Sequence, residues 1–222
     1  MKQLLFPEIS KSVNLPEPQW ITLVIERPEQ MRNYLMELFD GFGEKSKRFR
    51  LLEDGQSLYL DEHGFFLPSP FNLELNSKRN LNSLLKLLKK SYFENLAESV
   101  KDIQARIEEA IEAIRLDFDV EIVSDFDLKT DDLFKIANVK FSEECENLSE
   151  RLCRYLSVEN ELNKSTILFT IHLQEYFSEE EIKNIRKELA FRGWTVVDLE
   201  SRPILSLENE HRFIVDNDLC VI

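Results

Sequence analysis

What most constrains the fold of this chain is the stretch 80–114, which holds neither glycine nor proline. Leu81, Leu84, Leu85, Leu88, Tyr92, Leu96, Val100, Ile103, Ile107, Ile111 and Ile114 keep a three-or-four spacing there, the repeat of one face of an α-helix. At 1.5 Å per residue, a helix of roughly 36 residues reaches about 54 Å. A compact domain in a chain of 222 residues does not need that length, so the helix is expected to project or to run along a partner. After Ser142, Cys145, Leu148, Leu152, Tyr155 and Leu156 share one face of a second helix, the natural element to pack back along the first.

The flanking sequence follows α/β grammar. Residues up to Pro16 and Pro18 read as an irregular entry segment, and Trp20-Ile21-Thr22-Leu23-Val24-Ile25 then predicts a buried strand central in a sheet. Pro28 suits a first helical turn, and Met31, Tyr34, Leu35, Leu38 and Phe39 carry a helix to the stop at Gly41 and Gly43. Short strand-like pieces at 49–52, 57–60 and 64–67 are separated by Asp54-Gly55 and His63-Gly64 turns. Beyond the helical middle, residues 166–171 form a second buried strand. Ser178 and Glu181 then make a capping box, Phe177 and Ile182 a hydrophobic staple, Ile182, Ile185 and Leu189 the stripe, and Gly193 the stop. A third strand at 194–199 completes a strand-helix-strand unit, which predicts a right-handed parallel crossover. Residues 213–215 and 219–222 are expected as short terminal strands, and no internal repeat or low-complexity stretch is present.

Hydrophobic residues at 43% and charged residues at 32% place the chain among ordinary globular proteins, with one domain plus an appendage as the expectation. No apolar run is long enough to span a bilayer, and residues 1–11 mix Lys, Gln, Glu and Ser, so a cytoplasmic protein without membrane partners is expected. Cys145, Cys153 and Cys220 are odd in number and lack C-x-x-C spacing, which argues against disulfides or a zinc knuckle and for buried thiols.

The net charge of −14 would repel nucleic acid if it were spread evenly. It is not: residues 78–106 carry 7 basic and 3 acidic groups, and residues 107–163 carry 6 and 16. Lys78, Arg79, Lys86, Lys89 and Lys90 open the long helix, and Lys45, Lys47, Arg48 and Arg50 precede a strand. Such groups serve either a solvated face or non-specific phosphate binding, and no recognition helix, zinc finger or ribonucleoprotein motif points to base reading.

Catalytic motifs are missing. The strands ending at Ile25 and Ile171 run into Glu26-Arg27-Pro28 and His172-Leu173-Gln174-Glu175, without the glycines and Lys-Ser/Thr pair of a phosphate loop. His63, His172 and His211 are scattered and read as turn or surface residues, and no nucleophile elbow occurs. The acidic segment carries more. Asp117, Asp119 and Glu121 alternate with Phe118, Val120 and Ile122, and in a strand this would align three carboxylates on one face, with Asp125, Asp127, Asp131 and Asp132 following. Clustered carboxylates suit calcium or magnesium, whereas an EF-hand fails because Ile122 and Leu128 stand at its glycine and bidentate glutamate positions. The competing readings are a solvated strand face and a divalent-metal nuclease site at Asp117, Asp119 and Glu121. A helical interaction scaffold without nucleic acid is the third.

With these residues in view, the chain resembles the small ring-forming DNA-binding protein of type II-A CRISPR spacer acquisition, the Csn-two family. The likeness spans nearly the full length. It is carried by Ile21-Thr22-Leu23-Val24-Ile25-Glu26, by Asn76-Ser77-Lys78-Arg79 opening the long helix, and by Asp125-Phe126-Asp127 followed by Leu133-Phe134-Lys135 and Val139-Lys140-Phe141. Ile167-Leu168-Phe169-Thr170, the acidic-capped helix after it, and Arg212-Phe213-Ile214-Val215 also fit. The resemblance implies an α/β fold: a mixed-sheet head (1–76 and 165–222) resembling a degenerate P-loop-type fold, and a helical leg (77–164) built from the long helix and a return helix, with an acidic hinge at 117–132. It further implies a homotetrameric ring threaded by double-stranded DNA, non-enzymatic end binding, and partnership with the CRISPR integrase proteins and the RNA-guided nuclease. Calcium is implied at the base of the leg, where Asp125 and Asp127 match acidic family positions and Asp117, Asp119 and Glu121 are further candidates.

Overall fold

The structure, a computed structural model, describes residues 1–6, 9–40, 48–204 and 210–222, with side chains at all of these except 61, 92–96 and 130–131. The chain divides into two compact units, Met1–Glu74 with Glu144–Ile222, and Leu75–Glu143. Among the described residues no helix is long and apolar enough to cross a membrane.

The first unit is mixed α/β. Its strands are β1 (Lys2–Phe6), β2 (Lys11–Leu15), β3 (Trp20–Ile25), β4 (Arg50–Glu53), β5 (Gln56–Leu58), β6 (Gly64–Leu67), β7 (Ile167–Ile171), β8 (Thr195–Glu200) and β9 (Glu210–Val215). Its helices are α1 (Pro28–Phe39), α4 (Leu148–Asn163) and α5 (Glu179–Phe191). An antiparallel sheet has the order β2-β1-β4-β5, and a parallel sheet the order β6-β7-β8-β3-β9.

A parallel sheet is stable only when both faces are covered, and the period-two alternation of its strands sorts their side chains into two cores. Ile21, Leu23, Ile25, Phe169, Val197 and Leu199 pack with Leu4, Phe6, Val13 and Leu51 of the antiparallel sheet and with Met31, Tyr34 and Leu38 of α1. From the opposite face Trp20, Leu168 and Val196 meet Leu152 and Leu156 of α4 and Ile182, Ile185 and Leu189 of α5. This explains why β3 and β8 are buried at every position; β3 reads as an almost unbroken apolar run, whereas β8 carries Thr195, Asp198 and Glu200 inside as well. The capping box forms as expected, Ser178 Oγ accepting from the Glu181 amide at 3.3 Å and Glu181 accepting from the Ser178 amide at 2.8 Å. Phe177 and Ile182 are both buried in the adjoining core, and β7 and β8 pair in parallel across α5. Asp54 and Gly55, at φ 49° and 82°, make the two-residue turn between β4 and β5.

Several expectations are corrected. The entry segment is a hairpin, because Leu4, Phe6 and Val13 point into the core while Lys11, Ser12 and Asn14 face solvent; three inward residues are too few to show as a period. Residues 57–60 are not one strand: β5 ends at Leu58 and Leu60 begins a 3-10 turn. The segment 219–222 contributes one bridge, Val215 to Val221, rather than a strand. The helix expected to return along the long helix is α4, and it belongs to the first unit, where Leu152 and Leu156 are fully buried beside Leu168 and Trp194. The thiols are not buried: Cys145 and Cys153 are half-buried and Cys220 is exposed. Gly41 and Gly43, expected to stop α1, lie outside the described residues.

The second unit is built on α2 (Lys78–Arg115), 38 residues long, and α3 (Thr130–Ile136), which packs on it. Ser77 caps α2 by accepting from the Asn80 amide at 3.3 Å, and Asn80 Nδ2 donates to the Leu75 carbonyl at 3.2 Å. Asn76 fastens the far end of the unit to this start: its Nδ2 donates to the Phe141 carbonyl at 3.0 Å and its Oδ1 accepts from the Phe141 amide at 2.8 Å. Residues 117–129 carry no strand. Both sets of the alternation, Asp117, Asp119 and Glu121 on one side and Phe118 and Val120 on the other, are exposed, so the pattern does not separate a buried face from a wet one. Ile122, Phe126 and Leu128 turn inward instead, and Gln104 of α2 donates to the Phe126 carbonyl at 3.4 Å.

Candidate functional site

The basic residues in the first part of α2 form one face. Counted at 3.6 residues per turn, Lys78, Arg79, Lys86, Lys89 and Lys90 fall within an arc of about 120° and along roughly 18 Å of helix, with Leu81, Leu84, Leu85 and Leu88 outside that arc. The first turn has no acidic residue, only Lys78 and Arg79. Cations there oppose the helix dipole by about 0.3–1 kcal/mol each at an exposed end. That placement costs helix stability and is offset when an anion binds.

The other basic group lies in the first unit and is less uniform. Lys45 and Lys47 are outside the described residues, and Arg50 on β4 is exposed. Arg48 is engaged in the fold: it reaches Glu37 of α1 at 3.2 Å, with both side chains mostly buried, and lies over the Tyr34 ring at 5.6 Å.

Asp117, Asp119, Glu121, Asp125 and Asp127 are all exposed on the irregular run after α2. Among the described residues no three of them bring ligand oxygens together, and Asp127 pairs with Lys129 at 3.6 Å. Calcium takes six to eight oxygens at about 2.3–2.6 Å. These carboxylates do not fit a ready-made cage of that kind.

A tighter cluster, missed in the sequence, sits where β7 and β8 end. β7 stops at Ile171, and His172 turns the chain in the left-handed region at φ 51°, starting a 3-10 turn over Leu173–Tyr176. This aims its ring at the end of the neighbouring strand, where Nδ1 lies 2.7 Å from Glu200 Oε2. Glu200 is fully buried, and so is Asp198 two residues earlier. Asp198 Oδ1 accepts from the Leu173 amide at 3.1 Å and Oδ2 from Gln174 Nε2 at 3.4 Å. Burial and the adjacent Glu200 carboxylate push the Asp198 carboxyl up to about 8. The hydrogen bond to Glu200 raises the His172 imidazole above its ordinary value, against the opposing effect of burial. Glu175 completes the cluster from the exposed rim and holds Arg202 at 2.9 Å. The available signal was the i, i+3 pair His172 and Glu175 after a strand; nothing local announces Glu200.

The model of the family described as CRISPR-associated protein (Cas_Csn2) matches residues 42–219. No curated protein matches the chain. Among solved structures it is similar to an ABC transporter ATP-binding protein from Pyrococcus furiosus, with 14% identity over 95% of this chain and 96% of that one at a TM-score of 0.41. It is also similar to a bacterial Atm1-family ABC exporter with ATP bound, with 11% identity over 89% of this chain and 34% of that one at a TM-score of 0.39.

Proposed function

The chain belongs to the CRISPR-associated protein (Cas_Csn2) family, and on that premise we propose that it is a non-enzymatic, sequence-independent binder of double-stranded DNA ends that serves CRISPR spacer acquisition as a homotetrameric ring. The observation that carries the DNA reading is the basic face of α2, where five cations share one arc in a chain of net charge −14. A helix that opens on two cations against its own dipole and carries three more along the same arc suits an anionic partner, and a phosphate backbone supplies anions along the whole 18 Å or so of that face. With no base-reading motif, the contacts would position the duplex without reading its sequence.

Self-assembly has its own support in the second unit. Ile114, Leu116, Phe118, Val120, Val123 and Ile136 are exposed, Leu116 at 88% and Val123 at 81%, an apolar load that monomeric proteins rarely leave in water. The non-enzymatic reading rests on the strand ends, where Glu26-Arg27-Pro28 and His172-Leu173-Gln174-Glu175 offer no glycine-rich phosphate cradle. The head is accordingly read as a nucleotide-hydrolase-like sheet that has no working phosphate loop. Calcium, expected near Asp125 and Asp127, would have to gather carboxylates that are spread in this structure, so its effect should appear as assembly rather than as binding to a lone chain. The integrase proteins and the RNA-guided nuclease are the expected protein partners.

Mobility shifts on linear and on covalently closed circular duplex, with native mass measured with and without calcium, test the reading. Salt-sensitive binding to linear DNA, weak binding to circles and a tetramer favoured by calcium are expected. Equal affinity for both topologies, or no DNA binding at any calcium level, would refute it.

A further inference from the structure

Among the described residues, His172, Glu175 and Glu200 are the one group of three potential metal-binding side chains whose donor atoms all lie within 4.8 Å of one another. They stand at the carboxyl ends of adjacent parallel strands, the edge at which open α/β sheets hold ligands. The His172–Glu200 contact accounts for Glu200 Oε2 only. The second oxygen of the same carboxyl, Oε1, is buried without a hydrogen-bond partner among the described residues, on a side chain with no exposed surface. Buried carboxylate oxygens are almost always satisfied, because an orphaned one forfeits its hydration for nothing. An imidazole beside Oε2 therefore leaves this carboxyl half-served.

We propose that this edge is a binding site for a divalent first-row transition metal of the zinc class, held by one imidazole nitrogen of His172 and carboxylate oxygens of Glu175 and Glu200, with water completing the shell. The donor set chooses the metal. Calcium and magnesium select oxygen, whereas an imidazole with two carboxylates is typical of zinc and its neighbours, bound at about 2.0–2.2 Å with an open position for water. A dication would also relieve the repulsion between the two glutamates that bind it. Arg202 Nη2, 2.9 Å from Glu175 Oε1, steadies the rim carboxylate and leaves its other oxygen for the metal. The site uses no residue of the acidic run at 117–127 and does not depend on DNA binding.

The full chain, stripped with a chelator and titrated with zinc alone against a chromophoric competitor, provides the test. One zinc per chain is expected at this site, and H172N, E200Q and E175Q should each weaken it by about tenfold or more. Asparagine suits the left-handed backbone of His172, and Glu175 lies at the exposed rim, so E175Q should leave the melting of the metal-free protein unchanged. Zinc affinity equal to wild type in all three variants, zinc uptake abolished by cysteine alkylation, or no uptake at all would overturn the proposal. Displacement of the bound zinc by equimolar calcium would overturn its metal class.

Discussion

Asn76 satisfies both backbone hydrogen-bonding groups of Phe141, its side-chain amide standing in for a strand that is not there. The two residues lie 65 positions apart, just before α2 and just after the segment that follows α3, so this one amide closes the second unit on itself. Asn76→Ala should cost about 1–3 kcal/mol, the penalty for leaving half-buried backbone groups unpaired. Hydrogen exchange is the suitable measurement because it resolves the unit. The Phe141 amide should lose protection while the amides of β3 and β8 keep theirs. Unchanged exchange at Phe141 would mean that the clamp contributes nothing.

Lys86 and Lys90 are exposed on the basic face of α2. If that face neutralises phosphates, the double replacement Lys86→Gln/Lys90→Gln should weaken binding to every duplex sequence alike. It should also make the dependence of log affinity on log salt shallower by about 0.9 for each lysine that contacts a phosphate. A mobility-shift series over salt reads both quantities. An unchanged slope would place the DNA elsewhere.

The legible parts of the fold are those in which a long pattern and a local stop signal agree. α2 follows from apolar residues repeated over ten turns, and α5 follows from Ser178, Glu181 and Gly193 bracketing its stripe. β1 and β2 were not legible because Leu4, Phe6 and Val13 acquire meaning only beside Leu51 and Ile21, which arrive later in the chain. The stripe on α4 was visible, but an amphipathic face states only that something covers it, and the coverer is the parallel sheet. The alternation at 117–122 misled for the converse reason: a period of two implies a strand only where another strand is present to pair with it. Of the candidate sites, the basic face of α2 could be counted off the sequence. The His172–Glu200 contact could not, because 28 residues and a crossover separate two groups that only the pairing of β7 with β8 makes neighbours.

The capping box at the start of α5 offers a local stability test. Ser178→Ala removes the acceptor for the Glu181 amide and should cost about 1 kcal/mol. Ser178→Asp restores the acceptor but loses the hydroxyl's own donation to Glu181 Oε2 at 2.7 Å and sets two carboxylates together, so it should recover only part of that stability. Denaturant midpoints of the two variants decide it, and no loss in Ser178→Ala would show that the cap contributes nothing.

Cys153 gives the protein an alkaline sensitivity whose direction is fixed. Partial burial on α4, reinforced by the Glu188 carboxylate and partly opposed by Arg192, pushes its thiol from the usual 9.0 up to about 11. A thiol that holds its proton more tightly when folded favours the folded state fully below pH 9, and that contribution is lost as pH rises from 9 toward 11. Stability of the wild-type chain should therefore fall across this window, and Cys153→Ala should flatten the fall while leaving the profile below it unchanged in shape. Alkylation kinetics provide a second reading of the same group. The exposed Cys220 should react first at pH 8, and Cys153 should become comparable only as the pH approaches its own raised value, because the thiolate is the reacting species. Equal rates for the two at pH 8 would show that the packing around Cys153 opens freely and does not hold the proton.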